Sequence, residues 1–84
     1  MNEKTIRALV EAGAVKKILL IADGSTIHAD VFTLNGTVTA TTNRGSIKTW
    51  ATLDAAARWT KGLGVGSAHI EMSRWLPGQR GFTL

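Results

Sequence analysis

The stretch from Thr52 to Gly64 constrains the fold most, because it carries the signals of a complete helix. Thr52 can cap the first turn with its hydroxyl, and Asp54 and Lys61 suit the positive and negative ends of the helix dipole. Gly62 can adopt the left-handed conformation that ends a helix. Small and apolar residues recur at helical spacing and predict a narrow inward face: Leu53, Ala56, Ala57, Thr60 and Leu63. We therefore expect a sheet built around this helix.

Five segments predict strands: Val15 to Ala22, Ile27 to Leu34, Thr37 to Thr42, Ser46 to Trp50 and Val65 to Met72. The first is apolar on both faces, which is typical of a central strand covered on both sides. We expect one face of this strand to pack against the helix described above. We expect the other face to pack against an N-terminal helix, described below, or against a partner chain. Asn35-Gly36 predicts a hairpin between the second and third strands, with both residues at positive φ. The first strand is the expected neighbour of the fifth.

An N-terminal helix precedes the strands. Asn2 to Ala12 has helical periodicity, with Asn2 as its cap and Gly13 as its stop. Lys4 and Arg7 lie on its outer face, which is either a solvated surface or a basic surface that touches phosphate. A chain of 84 residues, 44% of them hydrophobic, predicts one globular domain.

The order of these elements predicts an α+β fold, with a mainly antiparallel sheet of four or five strands and two helices. We assign residues 1–72 to this domain. We assign residues 73–84 to a C-terminal tail, partly flexible or docking, because Pro77-Gly78 and Gly81 change its character.

Several classes of protein are excluded by composition. The chain has no cysteine, which excludes a disulfide framework, thiolate zinc sites and cysteine catalysis. The first residues show no secretion signal, and the longest apolar run, Ile18 to Ala22, is too short to span a bilayer. We expect a soluble cytoplasmic protein with no membrane contact.

Little in the sequence supports catalysis. His28 and His69 each have an acid two residues on, and such pairs share one face of a strand. A metal site would need their two strands to be neighbours; otherwise these residues make local ion pairs at the surface. We predict no catalytic residue, no metal and no cofactor, and hence a protein that is not an enzyme.

The net charge of +4 favours anionic partners, nucleic acid first, although positive charge can also serve solubility alone. The best predicted nucleic-acid-binding cluster comprises Arg44, Lys48, Arg58 and Lys61. Arg74, Trp75 and Arg80 form a second, tail cluster. It could dock on a partner or on its own domain, move freely, or clamp a nucleic-acid strand by charge and stacking.

Two segments carry a resemblance to a known family. Residues 6–15, IRALVEAGAV, and residues 53–65, LDAAARWTKGLGV, flank a β-rich middle. Together they resemble the small ParC-type, partition-associated proteins of bacterial plasmids, over most of residues 6–72. The resemblance implies a plasmid-maintenance setting with DNA and a partition ATPase as partners. It carries over no catalytic residue.

Two functions follow as hypotheses. The first is a small basic accessory protein of plasmid or mobile-element maintenance that contacts DNA. The alternative is a homodimeric protein-interaction module without nucleic-acid affinity, suggested by the doubly apolar first strand and by Trp75 and Phe82 of the tail. Salt-dependent DNA binding distinguishes the two.

Overall fold

The computed structural model describes residues 1–76 and confirms a small α+β domain. The described residues form two helices and four strands: α1 (Glu3–Glu11), β1 (Val15–Gly24), β2 (Thr26–Thr33), β3 (Gly36–Thr39), α2 (Leu53–Gly62) and β4 (His69–Trp75). The strand order is β3-β2-β1-β4. Neighbours β1–β2 and β2–β3 are antiparallel, and β1–β4 is parallel, so the sheet is mixed.

Strand alternation places the core on one face of the sheet. Ile18, Leu20 and Ala22 of β1 lie opposite Val31, Ala29 and Ile27 of β2, and all six are buried. The same buried cluster contains Ile6 of α1, Ala56 of α2 and Leu63, which directly follows α2. Both helices therefore cover the same face of the sheet.

The opposite face of β1 differs from its predicted environment. We expected the first helix or a partner chain over Leu19 and Ile21, but α1 packs on the other side of the sheet. Both side chains are half-buried among their strand neighbours. The Lys17 ammonium group lies 4.6 Å from the ring centre of Phe32, its pairing partner on β2.

The predicted helix starts are confirmed. The side chain of Asn2 accepts a hydrogen bond from the Thr5 amide at 3.1 Å, and Thr52 accepts one from the Ala55 amide at 3.1 Å. These caps satisfy amides of the first turn that have no partner inside the helix. Gly13 has φ +74°, as the predicted stop of α1 requires.

Two details of α2 were predicted wrongly. Gly62 is the last residue of the helix, and the left-handed glycine is Gly64, with φ +96°. Ala57 is exposed, whereas Ala56 and Thr60 are buried as expected. The buried Thr60 hydroxyl donates to the Ala56 carbonyl at 3.0 Å, so its polar group is satisfied within the helix.

The hairpin between β2 and β3 forms, but one residue earlier than predicted. Thr33 pairs with Gly36, which leaves Leu34 and Asn35 as the two-residue loop. Only Gly36 of this turn has positive φ, at +134°. The Thr33 hydroxyl accepts from the Asn35 amide and donates to the Gly36 carbonyl, and these bonds stabilise the shifted turn.

The predicted fourth strand, Ser46 to Trp50, does not form. Ile47 makes an isolated bridge to Thr41, and Trp50 makes another to Ile27. Because the segment divides its hydrogen bonds between two partners, it never forms a continuous ladder. It packs instead as a loop that joins β3 to α2.

Strand β4 lies beside β1, as predicted, but occupies a later range than Val65 to Met72. It continues to Trp75, so residues 73–75, which we had assigned to the tail, belong to the sheet. Arg74 and Trp75 lie opposite Asp23 and Gly24 of β1. The rest of the predicted tail, from residue 77 on, lies outside the described residues.

Candidate nucleic-acid interface

A basic groove of about 500 Å³ lies between the start of α1 and the loop after β3. We call it the α1 groove and define it by its lining residues: Glu3, Lys4, Arg7, Thr41, Thr42, Asn43 and Lys48. Three cations, one carboxylate, two hydroxyls and one amide therefore face a common space. Such groups are those that proteins use to bind phosphate oxygens.

Backbone hydrogen bonds fix the two walls of the α1 groove against each other. The Thr41 amide donates to the Met1 carbonyl at 2.7 Å, and Asn2 and Thr41 form a parallel bridge. The Lys48 amide donates to the Ala40 carbonyl at 3.0 Å. The start of α1 and the loop residues are thus held together by the fold, although they are about 40 residues apart in the sequence.

Glu3 positions one cation of the helical wall, Arg7. Its carboxylate accepts from Arg7 Nη2 at 3.0 Å and from the Trp59 indole at 3.1 Å. These hydrogen bonds, with that from Arg7 contributing most, hold the pKa of Glu3 below its usual value, while partial burial acts in the opposite direction. Arg7 Nη1 also donates to the Gly62 carbonyl at 2.6 Å, at the end of α2. Arg7 is therefore positioned by both helices.

Aromatic rings support the opposite wall. The Lys48 ammonium group lies 5.4 Å from the ring centre of Trp50, within the range of a cation–π contact. Trp50 in turn contacts Trp59, with ring centres 4.8 Å apart and planes tilted by 51°. The contacts from Lys48 through the two tryptophans to Glu3 connect the loop to both helices.

The structure separates the four predicted nucleic-acid-binding residues. Only Lys48 lines the α1 groove. Arg44 is exposed in the turn beside Asn43, and Arg58 pairs with Asp54 at 2.9 Å on the exposed side of α2. Lys61 lines a different groove, between α2 and β4.

Lys4 and Arg7 were outside the predicted cluster, yet they line the α1 groove together with Lys48. Their spacing on one face of α1 was a visible signal of a surface that can touch phosphate. No sequence pattern indicates which loop lies opposite them, because that depends on the bridge between Asn2 and Thr41.

The predicted tail cluster is divided as well. Arg74 lies 3.6 Å from Asp23 in an exposed ion pair, and Trp75 is half-buried against the core. Both residues belong to β4. Arg80 lies outside the described residues.

The two histidines lie on different strands, separated by β1. His28 pairs with Ile21 and His69 with Leu19, so the central strand stands between their side chains. Within residues 1–76, no group of three His, Cys, Asp or Glu side chains is placed to hold a metal ion. The condition that we set for a metal site, that the two strands be neighbours, is not met.

Comparisons with known proteins identify no relative of this chain. No family model, no curated protein and no solved structure matches the chain. The ParC-type resemblance therefore stays a prediction. In the part of the chain that the structure describes, neither helix has the length and apolar character needed to cross a membrane.

Proposed function

We propose that this chain is a small basic accessory protein without enzymatic activity, and that it contacts DNA phosphates in the α1 groove. The observation that carries the proposal is the convergence of Lys4, Arg7 and Lys48 on one groove. The ParC-type resemblance alone suggests the setting, which is plasmid or mobile-element maintenance with a partition ATPase as protein partner.

The charges of the α1 groove favour an anion. Glu3 is engaged by Arg7 and Trp59, which disperse its negative charge. In residues 1–76, neither Lys4 nor Lys48 has a carboxylate within ion-pairing distance. Two lysines are thus available to a phosphate, and the nearby hydroxyls of Thr41 and Thr42 can donate to its oxygens.

The proposal predicts a salt-dependent affinity that depends on this groove. Fluorescence anisotropy on a random duplex and on a single strand, over a salt series, measures the affinity and its slope. We expect Lys4→Ala/Lys48→Ala to weaken binding and to reduce the slope of log K against log salt by about 0.9 for each duplex phosphate that the variant no longer neutralises.

The matched control is Arg58→Ala/Lys61→Ala, which removes the same charge from two predicted residues outside the groove. We expect this control to retain most of the affinity. An equal decrease of affinity in the two variants would show that binding follows net charge and not the groove. An absence of binding to either nucleic acid at low salt would contradict the proposal.

A further inference from the structure

Strand β4 is an outer strand of the described sheet, and three of the five exposed large apolar side chains of the described region lie on it or directly after it. Ile70, Met72 and Leu76 are 46%, 51% and 55% exposed, and all three lie on β4 or directly after it. β4 pairs with β1 on one side, and no other strand within residues 1–76 pairs with its outer edge. An edge strand with apolar side chains is a template for pairing with another chain.

The helical layer does not cover β4. α2 packs over β1 and β2, and a groove of about 310 Å³ separates it from β4. The walls of this β4 groove include Leu20, Ala57, Val65 and Ile70. Apolar surface therefore continues from the outer strand to the flank of α2.

An irregularity in β4 places two opposite charges on one face. Between Ile21 and Asp23, β1 advances two residues, whereas β4 advances three, from Glu71 to Arg74. This β-bulge puts Glu71 and Arg74 on the same side of the sheet, although an odd spacing normally separates two residues to opposite sides.

The charges and apolar side chains of β4 are complementary to a second copy of the same strand. In an antiparallel pair with Met72 opposite the partner's Ser73, Glu71 faces the partner's Arg74 and Ile70 faces the partner's Trp75. Two-fold symmetry repeats each contact. Because of the bulge, the two members of each pair also point to the same face of the sheet.

We propose that two copies of this chain associate through β4, in this antiparallel register, to form one continuous eight-stranded sheet. The ion pair between Arg74 and Asp23 is exposed and opposes the association little, because surface pairs contribute little energy. The bond from the Ser73 amide to Glu71 is also exposed, so it can be exchanged for strand pairing. This inference is independent of DNA binding.

Charge reversal tests the register. Sedimentation velocity of the full chain should give a species of about twice 9.0 kDa. Glu71→Arg and Arg74→Glu should each raise the dimer dissociation constant about tenfold, since like charges then oppose each other at two positions. An equimolar mixture of the two variants should restore dimers, because both contacts become complementary again.

A second pair of variants tests the apolar contact. Met72→Lys should weaken the dimer, whereas Leu34→Lys, the same type of change at the 65%-exposed hairpin loop, should leave it intact. Circular dichroism checks that each variant is folded. A dimer dissociation constant that is unchanged in every β4 variant would overturn the proposal. A wild-type chain that sediments as a monomer would also overturn it.

Discussion

At the scale of single residues, Glu3 connects the most parts of the candidate site. It lies in the first turn of α1, accepts from Arg7 one turn later, and accepts from Trp59 in α2. A carboxylate in this position also suits the positive end of the helix dipole. Removing its charge should therefore loosen the contact between the two helices as well as the local ion pair.

Stability should depend on pH through Glu3. Its pKa in the folded protein lies below the ordinary value of 4.5, so the ionised form is favoured by folding. The resulting stabilisation is present above the unfolded pKa and is lost as the pH falls through the folded pKa. The free energy of unfolding should be larger for the wild type than for Glu3→Gln at pH 7. This difference in free energy should shrink towards pH 3. Urea unfolding of both proteins at several pH values measures it.

The comparison with Glu3→Gln isolates this residue, since Glu71, whose pKa is also lowered by its bonds to Ser73, is unchanged in both proteins. The carboxylate of Glu3 is partly exposed, and solvent screening will keep the effect small. A difference that stays constant from pH 7 to pH 3 would show that the glutamine acts through packing and not through charge.

At the scale of elements, α2 lies close to the sheet because its inward residues are small. Ala56 is fully buried, whereas Ala57 is exposed beside the β4 groove. Ala56→Leu should destabilise the domain by about 1–3 kcal/mol through overpacking. Ala57→Leu, the same change on the neighbouring residue, should alter the free energy of unfolding by less than about 0.5 kcal/mol. Chemical denaturation measures both, and equal effects would refute the assigned orientation of α2.

Local signals predicted the elements better than their ends. The caps at Asn2 and Thr52 could be predicted because a side chain bonds to an amide three residues away. The helix stop moved from Gly62 to Gly64, since either glycine satisfies the local rule and tertiary packing decides between them. Ser46 to Trp50 has strand composition, but its two partners, Thr41 and Ile27, lie on different segments. Composition does not encode such a division.

At the scale of the whole molecule, the candidate site depends on long-range contacts that the sequence pattern does not reveal. The apolar residues on both faces of β1 correctly predicted a central strand, but not that both helices would pack on one side of it. The cations were visible individually. Their grouping could not be predicted, because Lys4 and Lys48 lie on opposite walls of a groove. Backbone hydrogen bonds at Thr41 join these walls. Arg58 and Lys61, although close in sequence to each other, project from α2 into different surroundings.

The parallel pairing of β4 with β1 has a consequence for the order of folding. Leu19 pairs with His69, fifty positions away, whereas β1 and β2 meet across a turn that joins Asp23 and Thr26. Closing the longer loop costs more chain entropy, so we expect the β1–β3 meander to form first and β4 to add last. When the protein is diluted until it is monomeric, the backbone amides of β4 should exchange with deuterium before those of β1 and β2. Equal protection of the amides in all three strands would contradict this order. The surface that we assign to a second copy would then be the last part of each chain to become ordered, so that assembly and the final folding step occur on the same strand.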